Sequence, residues 1–152
     1  MLRNAAKYYK LYLWATVGGG IVLITLAALL AWQTMQALPE AKRVGNAAID
    51  ALVRLDQPQF NQLAYCPNCA LRTWAQWLNL VRSSGIPQNW RFQRAVRILE
   101  FGATRTGKSA ISVPFFEIEY QVRFANLPNA MIMLEVVHTE GGYRVMGMRL
   151  LK

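Results

Sequence analysis

The sequence predicts an α+β protein, with one N-terminal transmembrane helix followed by a small domain of helices packed on a curved antiparallel sheet of about four strands. Three observations predict it. The run LYLWATVGGGIVLITLAALLAW, from Leu11 to Trp32, carries no charge. Apolar residues then recur at intervals of three and four as far as Val81. After Pro87 the period falls to two, most cleanly from Phe116 to Phe124.

The uncharged run is about 22 residues long and reaches about 33 Å as a helix, enough for a bilayer core of about 30 Å. Tyr8, Tyr9, Tyr12 and Trp14 mark one headgroup zone and Trp32 the other. Arg3, Lys7 and Lys10 precede the span without an acid, whereas beyond it Glu40 partly offsets Lys42 and Arg43. The positive-inside rule therefore places the N-terminus in the cytoplasm and the domain on the other side, which in a bacterial inner membrane is the periplasm. A cleaved signal peptide has an apolar core of about 7–15 residues, so the longer core here favours an uncleaved anchor. The expected organisation is a cytoplasmic stub (1–10), a transmembrane helix (11–33) and a periplasmic domain (34–152). Small residues recur four apart in the span: Ala15 with Gly19, Thr16 with Gly20, Ala27 with Ala31. That spacing lets a second helix approach closely, so self-association or hetero-oligomerisation is expected.

The formal net charge is +9, and three of the cations precede the span. Those of the domain are mostly scattered arginines, a surface suited to anionic headgroups or an acidic partner. A nucleic-acid partner is not expected, because no compact basic run is present.

Within the domain, Leu38-Pro39-Glu40 marks a fresh helix start. Val44, Ala48, Ala51, Leu52 and Leu55 then define one helical face. Asp56 with Gln59 resembles a capping box and opens a short helix through Phe60 and Leu63. Cys66-Pro67-Asn68-Cys69 interrupts it, and a third helix follows with Leu71, Trp74, Leu78 and Val81 on one face, ending at Ser83-Ser84-Gly85. The first strand runs from Trp90 to about Ala103 with a bulge. In the second, Phe116, Ile118, Tyr120, Val122 and Phe124 alternate with Glu117, Glu119, Gln121 and Arg123. Asn126–Asn129 turns into Met131–His138, and Glu140-Gly141-Gly142 makes a hairpin into Tyr143–Leu151.

Few motifs carry chemistry. Gly102-Ala-Thr-Arg-Thr-Gly107-Lys108-Ser109 matches the letters of a phosphate-binding loop. A helix should follow it, but Ala110–Phe116 is β-branched and holds Pro114, so a hairpin explains the string and no nucleotide is expected. Cys66 and Cys69 are the only cysteines. A disulfide pinning the turn is the leading reading outside the cytoplasm. A redox pair needs a strand before the motif and a helix after it, and here a helix comes before. Half an intermolecular zinc site and free structural thiols are the other readings. His138 reads as a solvated turn residue, Glu117 and Glu119 as charges on a wet strand face, and Trp74, Trp77, Trp90 and Phe92 as core cover or an aromatic groove. No catalytic residue, cofactor or metal site is expected.

In its order of elements the chain resembles the cystatin-like, nuclear-transport-factor-2-like bitopic inner-membrane assembly proteins of type IV secretion and conjugation systems. Arg3-Asn4 with Tyr8-Tyr9-Lys10, Ala51-Leu-Val-Arg-Leu-Asp56 before Phe60, and Tyr143-Arg-Val-Met-Gly-Met148 are similar to the Dot/Icm-type branch. The resemblance implies a non-catalytic scaffold or adaptor whose partners are the bilayer and other membrane-complex subunits. Two alternatives stand beside it. One is an accessory subunit of a respiratory or photosynthetic complex. The other is a small-ligand binder or enzyme of the same fold, with a cavity lined by Trp90, Tyr120 and His138.

Overall fold

The computed structural model describes residues 2–98, 101–103, 109–111 and 115–151, with side chains described over 16–98 and 115–151. The chain divides into two compact units, Met1–Ala37 and Leu38–Lys152.

Helix α1 runs from Leu2 to Val53. Its part within the first unit is long and apolar enough to cross a membrane, and none of its most apolar stretch is buried. The chain is thus a membrane protein of single-pass topology, with one long apolar N-terminal helix and a small helix-and-sheet domain. Polar groups in this helix are satisfied internally, as lipid requires. The Thr25 hydroxyl donates to the Ile21 carbonyl at 2.9 Å and the Thr34 hydroxyl to the Leu30 carbonyl at 2.8 Å.

A fresh helix start was expected at Leu38-Pro39-Glu40. Instead α1 continues through Pro39, so the described residues hold three helices. A proline inside a helix removes one N–H donor and fixes a φ that the helix already uses, so it is tolerated at a cost. The boundary between the two units still falls one residue before it.

In the second unit, α2 (Gln57–Leu63) is capped by Asp56, whose carboxylate accepts the Gln59 N–H at 3.0 Å. The third helix, α3 (Pro67–Ser84), has Cys66 as N-cap and Gly85 as C-cap. Gly85 sits at φ +85°, where a side chain is strained, and its Cβ would lie 3.0 Å from that of Ala125. Strands β1 (Pro87–Ile98), β4 (Phe115–Phe124), β5 (Ala130–Thr139) and β6 (Gly142–Leu151) form one antiparallel sheet in that order, while β2 (Phe101–Ala103) and β3 (Ser109–Ile111) pair separately.

The expectation of a curved sheet is overturned. The sheet is flat and open, neither closed nor curled. Bulges and glycine kinks bend a sheet where they fall. Here the central β4–β5 register is unbroken from Phe115↔Val137 to Val122↔Ala130, and the irregularities fall in the outer pairings: Pro87/Asn89 and Phe92/Arg94 in β1–β4, Glu135/Val136 in β5–β6.

The core lies between the helices and one sheet face. Ala41, Val44, Ala48, Ile49, Ala51 and Leu52 of α1 are buried, as are Trp74, Trp77 and Leu80 of α3. Opposite them, Phe116, Ile118, Tyr120, Val122 and Phe124 of β4 alternate onto the same face, with Ile132, Leu134 and Val136 of β5. At Gly45 the backbone of α1 comes so close to the sheet that a Cβ would lie 2.5 Å from the Tyr120 hydroxyl oxygen and 2.9 Å from Ile118 Cδ1. The Tyr120 hydroxyl donates to Asn46 Oδ1 at 3.0 Å. Trp77 stacks against Phe124 with centroids 5.4 Å apart, and Phe60 meets Trp74 at 6.1 Å.

Candidate interaction surfaces

In the apolar part of α1, Val17, Ile21, Leu23, Ile24, Leu26 and Leu29 are all exposed. A Cβ added to Gly18, Gly19 or Gly20 would meet nothing within 4 Å. Three adjacent glycines thus leave a shallow, unfilled surface on the helix, the kind of surface that admits another helix backbone. Of the small-residue pairs expected to pack, Gly19, Gly20, Thr16, Ala27 and Ala31 all lie in this exposed segment, while the side chain of Ala15 lies outside the described residues.

On the domain, a polar cleft of about 410 Å³ is lined by Asn89 and Arg91 of β1, Gln121 and Arg123 of β4, and Pro128 and Asn129 of the following turn. The register sets it: Asn89 pairs with Arg123 and Arg91 with Gln121, so the four side chains share one face away from the core. Side-chain amides order the floor. Gln93 Nε2 donates to Gln121 Oε1 at 3.2 Å, and Gln121 Nε2 donates to Asn129 Oδ1 at 2.9 Å. None of the six lining residues is acidic, and both guanidinium-bearing side chains are exposed. Paired arginines with amide donors beside them suit a carboxylate or another planar anion.

Farther along that face the arginines are paired. Arg94 Nη2 donates to Glu119 Oε1 at 2.7 Å, and Arg149 pairs with Glu135. The hydrogen bond from Arg94 holds the Glu119 carboxyl below the usual carboxylate range, against an opposing desolvation effect. The face was expected to be wet, yet Glu119 and Glu135 are buried, Glu117 and Gln121 half-buried, and only Arg123 of that row is exposed.

The remaining candidates are placed as follows. Tyr120 is fully enclosed, meeting Trp90 edge-on at 5.5 Å and Phe92 at 6.2 Å, and burial raises its phenol above the ordinary value. Lys42 lies 3.8 Å over the Phe92 ring. His138 is exposed near the end of β5 and meets Tyr143 edge-on with ring centroids 4.9 Å apart, whereas Tyr120 lies in the core. Trp74 and Trp77 are core residues. Residues 104–108 of the phosphate-loop string lie outside the described residues, but Gly102 pairs with Ala110 and Ala103 with Ser109 in antiparallel strands. The residue that should open a helix after such a loop is therefore in a strand. Among the described residues no group of three or more His, Cys, Asp or Glu could hold a metal ion.

The chain matches no family model, no curated protein and no solved structure. Its functional reading rests on its own residues.

The sequence reading missed two features. The Arg91–Arg123 cleft depends on pairing Asn89 with Arg123 and Arg91 with Gln121, which only the β1–β4 register reveals. Leu71, expected on the buried face of α3, is 60% exposed, because the helix turns Ala70, Thr73, Trp74, Trp77 and Leu80 inward instead. The signal that could have found this was Thr73 and Trp77 at four apart, taken with Ala70 and Leu80.

Proposed function

We propose that this chain is a non-catalytic scaffold or adaptor subunit of a bacterial inner-membrane complex, with a type IV secretion or conjugation machine as its setting. Its N-terminus lies in the cytoplasm and its domain in the periplasm, an orientation supported by Arg3, Lys7 and Lys10 ahead of the span. The observation that carries the reading is the exposed helix with its unfilled glycine surface at Gly18, Gly19 and Gly20. A lone span gains nothing from such a surface, whereas a span packed among others gains close backbone contact. The acid-free cleft at Arg91 and Arg123 gives the domain a matching way to hold an acidic partner.

The test is mild-detergent extraction of the tagged protein from native membranes, with mass spectrometry and an absorption spectrum of what accompanies it. Secretion or conjugation components without a chromophore are expected. Gly19→Leu with Gly20→Leu should release them while leaving the circular dichroism of the protein unchanged. Haem or pigment together with redox subunits would overturn the reading in favour of an accessory subunit.

A further inference from the structure

Cys66-Pro67-Asn68-Cys69 sits in a different setting from the one its sequence context predicts. A helix precedes it in the chain, but α2 ends at Leu63, and Ala64 (φ −74°, ψ 148°) and Cys66 (φ −147°, ψ 158°) are both extended. Ala64 forms a parallel bridge to Val145 of β6, and the Tyr65 N–H donates to the Val145 carbonyl at 2.7 Å. A short extended segment on a sheet edge thus leads into the motif, and an 18-residue helix leads out. The motif is entered from extended backbone bridged once to β6 and left through a helix, so α2 does not run into it.

The local chemistry favours a reactive pair. The structure joins Cys66 and Cys69 by a disulfide, with Cα atoms 5.0 Å apart. Cys66 is the N-cap of α3, and its Sγ accepts the Cys69 N–H at 3.0 Å. Once the bond opens, that N–H and the helix N-terminus stabilise a thiolate on Cys66, and no acid in the first turn of α3 opposes it. Cys66 also lines a cleft of about 330 Å³ together with Asn61, Tyr65, Pro67 and Leu71, while Cys69 is not part of its wall. Tyr65 is 54% and Leu71 60% exposed, so apolar shoulders flank the cleft that Cys66 lines. A purely structural bridge would contribute little here. A sequence separation of three closes almost no chain, and loop-closure stabilisation is smallest for the shortest loops.

We propose that Cys66–Cys69 is a thiol–disulfide exchange site, with Cys66 as the sulfur attacked by a dithiol partner protein seated in this cleft. The inference goes beyond the adaptor reading and does not depend on which complex the span joins. A thiolate of the partner attacks Cys66 Sγ. The Cys66–Cys69 bond breaks with its electron pair leaving on Cys69, and a mixed disulfide forms at Cys66. The partner's second thiolate then attacks its own sulfur in that mixed disulfide and releases Cys66 as a thiolate. The partner's two thiols are oxidised to a disulfide, and two electrons and two protons pass to the Cys66–Cys69 pair.

The test uses the full-length protein in detergent, exposed to dithiothreitol without denaturant and then alkylated with iodoacetamide over a pH series, with each cysteine followed by mass spectrometry. The disulfide should open in the folded protein. At neutral pH Cys66 should alkylate about tenfold faster than Cys69, with a pH midpoint below the ordinary thiol value of about 8.5. Cys69→Ser should accept glutathione from oxidised glutathione at Cys66, and Cys66→Ser should react far more slowly at Cys69. Should either variant fail to fold, the wild-type alkylation profile decides alone. A bond that opens only in denaturant, or two thiols that alkylate alike, makes the pair a structural staple and overturns the proposal.

Discussion

On the helix side of the sheet, Ile118, Tyr120, Ile132 and Leu134 are fully buried under α1 and α3. On the other side the alternate positions hold Glu119, Gln121, Met133 and Glu135, and three of these are also buried, although this face carries charged and amide side chains where the other is apolar. The two faces reach low exposure by different means. The helix side excludes water by close packing of apolar surface. The open side does so by laying long arginine side chains across neighbouring strands, Arg94 toward Glu119 and Arg149 toward Glu135, with Met133 in register with both Glu119 and Arg149. Burial of the first kind is strong and indifferent to pH and salt. Burial of the second kind is weaker and depends on charge.

The largest effect should come from breaking the packed face. Trp77 is fully buried against Phe124, so Trp77→Ala should cost about 3–5 kcal/mol in chemical denaturation followed by circular dichroism. Gly45→Ala should cost about 1–3 kcal/mol, because the added methyl meets the Tyr120 hydroxyl, which its bond to Asn46 holds in place. Gly20→Ala, with nothing within 4 Å, is the control: it should leave the stability of the domain unchanged. The smallest effect belongs to the open face and appears only as a pH dependence. The Glu119 carboxyl is held low by Arg94, so its contribution is present above the ordinary carboxylate value and is lost as pH falls through the folded-state value. Glu119→Gln should lower the neutral-to-alkaline plateau of the stability curve and flatten its acid limb, leaving stability below the folded-state value unchanged. An equal loss at every pH would show that Glu119 acts by packing rather than by charge.

The packed face was the legible one. The alternation from Phe116 to Phe124 places β4 within one residue, the Asp56–Gln59 spacing gives the cap of α2, and Glu140-Gly141-Gly142 gives the β5–β6 hairpin. Each of these signals is local. What the sequence hid depends on distance along the chain or on competition between local preferences. Pro39 reads as a start because proline suits a first turn, yet α1 carries it internally. The shape of the sheet depends on which strands pair and where their registers slip, and pairing is invisible until register is known. The arginine cleft and the extended lead into Cys66 are hidden for the same reason, since β4 completes the one and β6 the other.

The close approach at Gly45 also orders the birth of the domain. The bond from Tyr120 to Asn46 spans 74 residues, whereas β4 pairs with β5 and β5 with β6, each through a short turn. During synthesis from the N-terminus, Ala41, Val44, Ala48 and Ile49 leave the ribosome long before the strands that cover them. The two final hairpins close quickly, because little chain entropy opposes them, and only then does the waiting helix find its floor. The first greasy surface of the domain to be made is among the last to be dried, and at that stage a nascent chain most needs a chaperone.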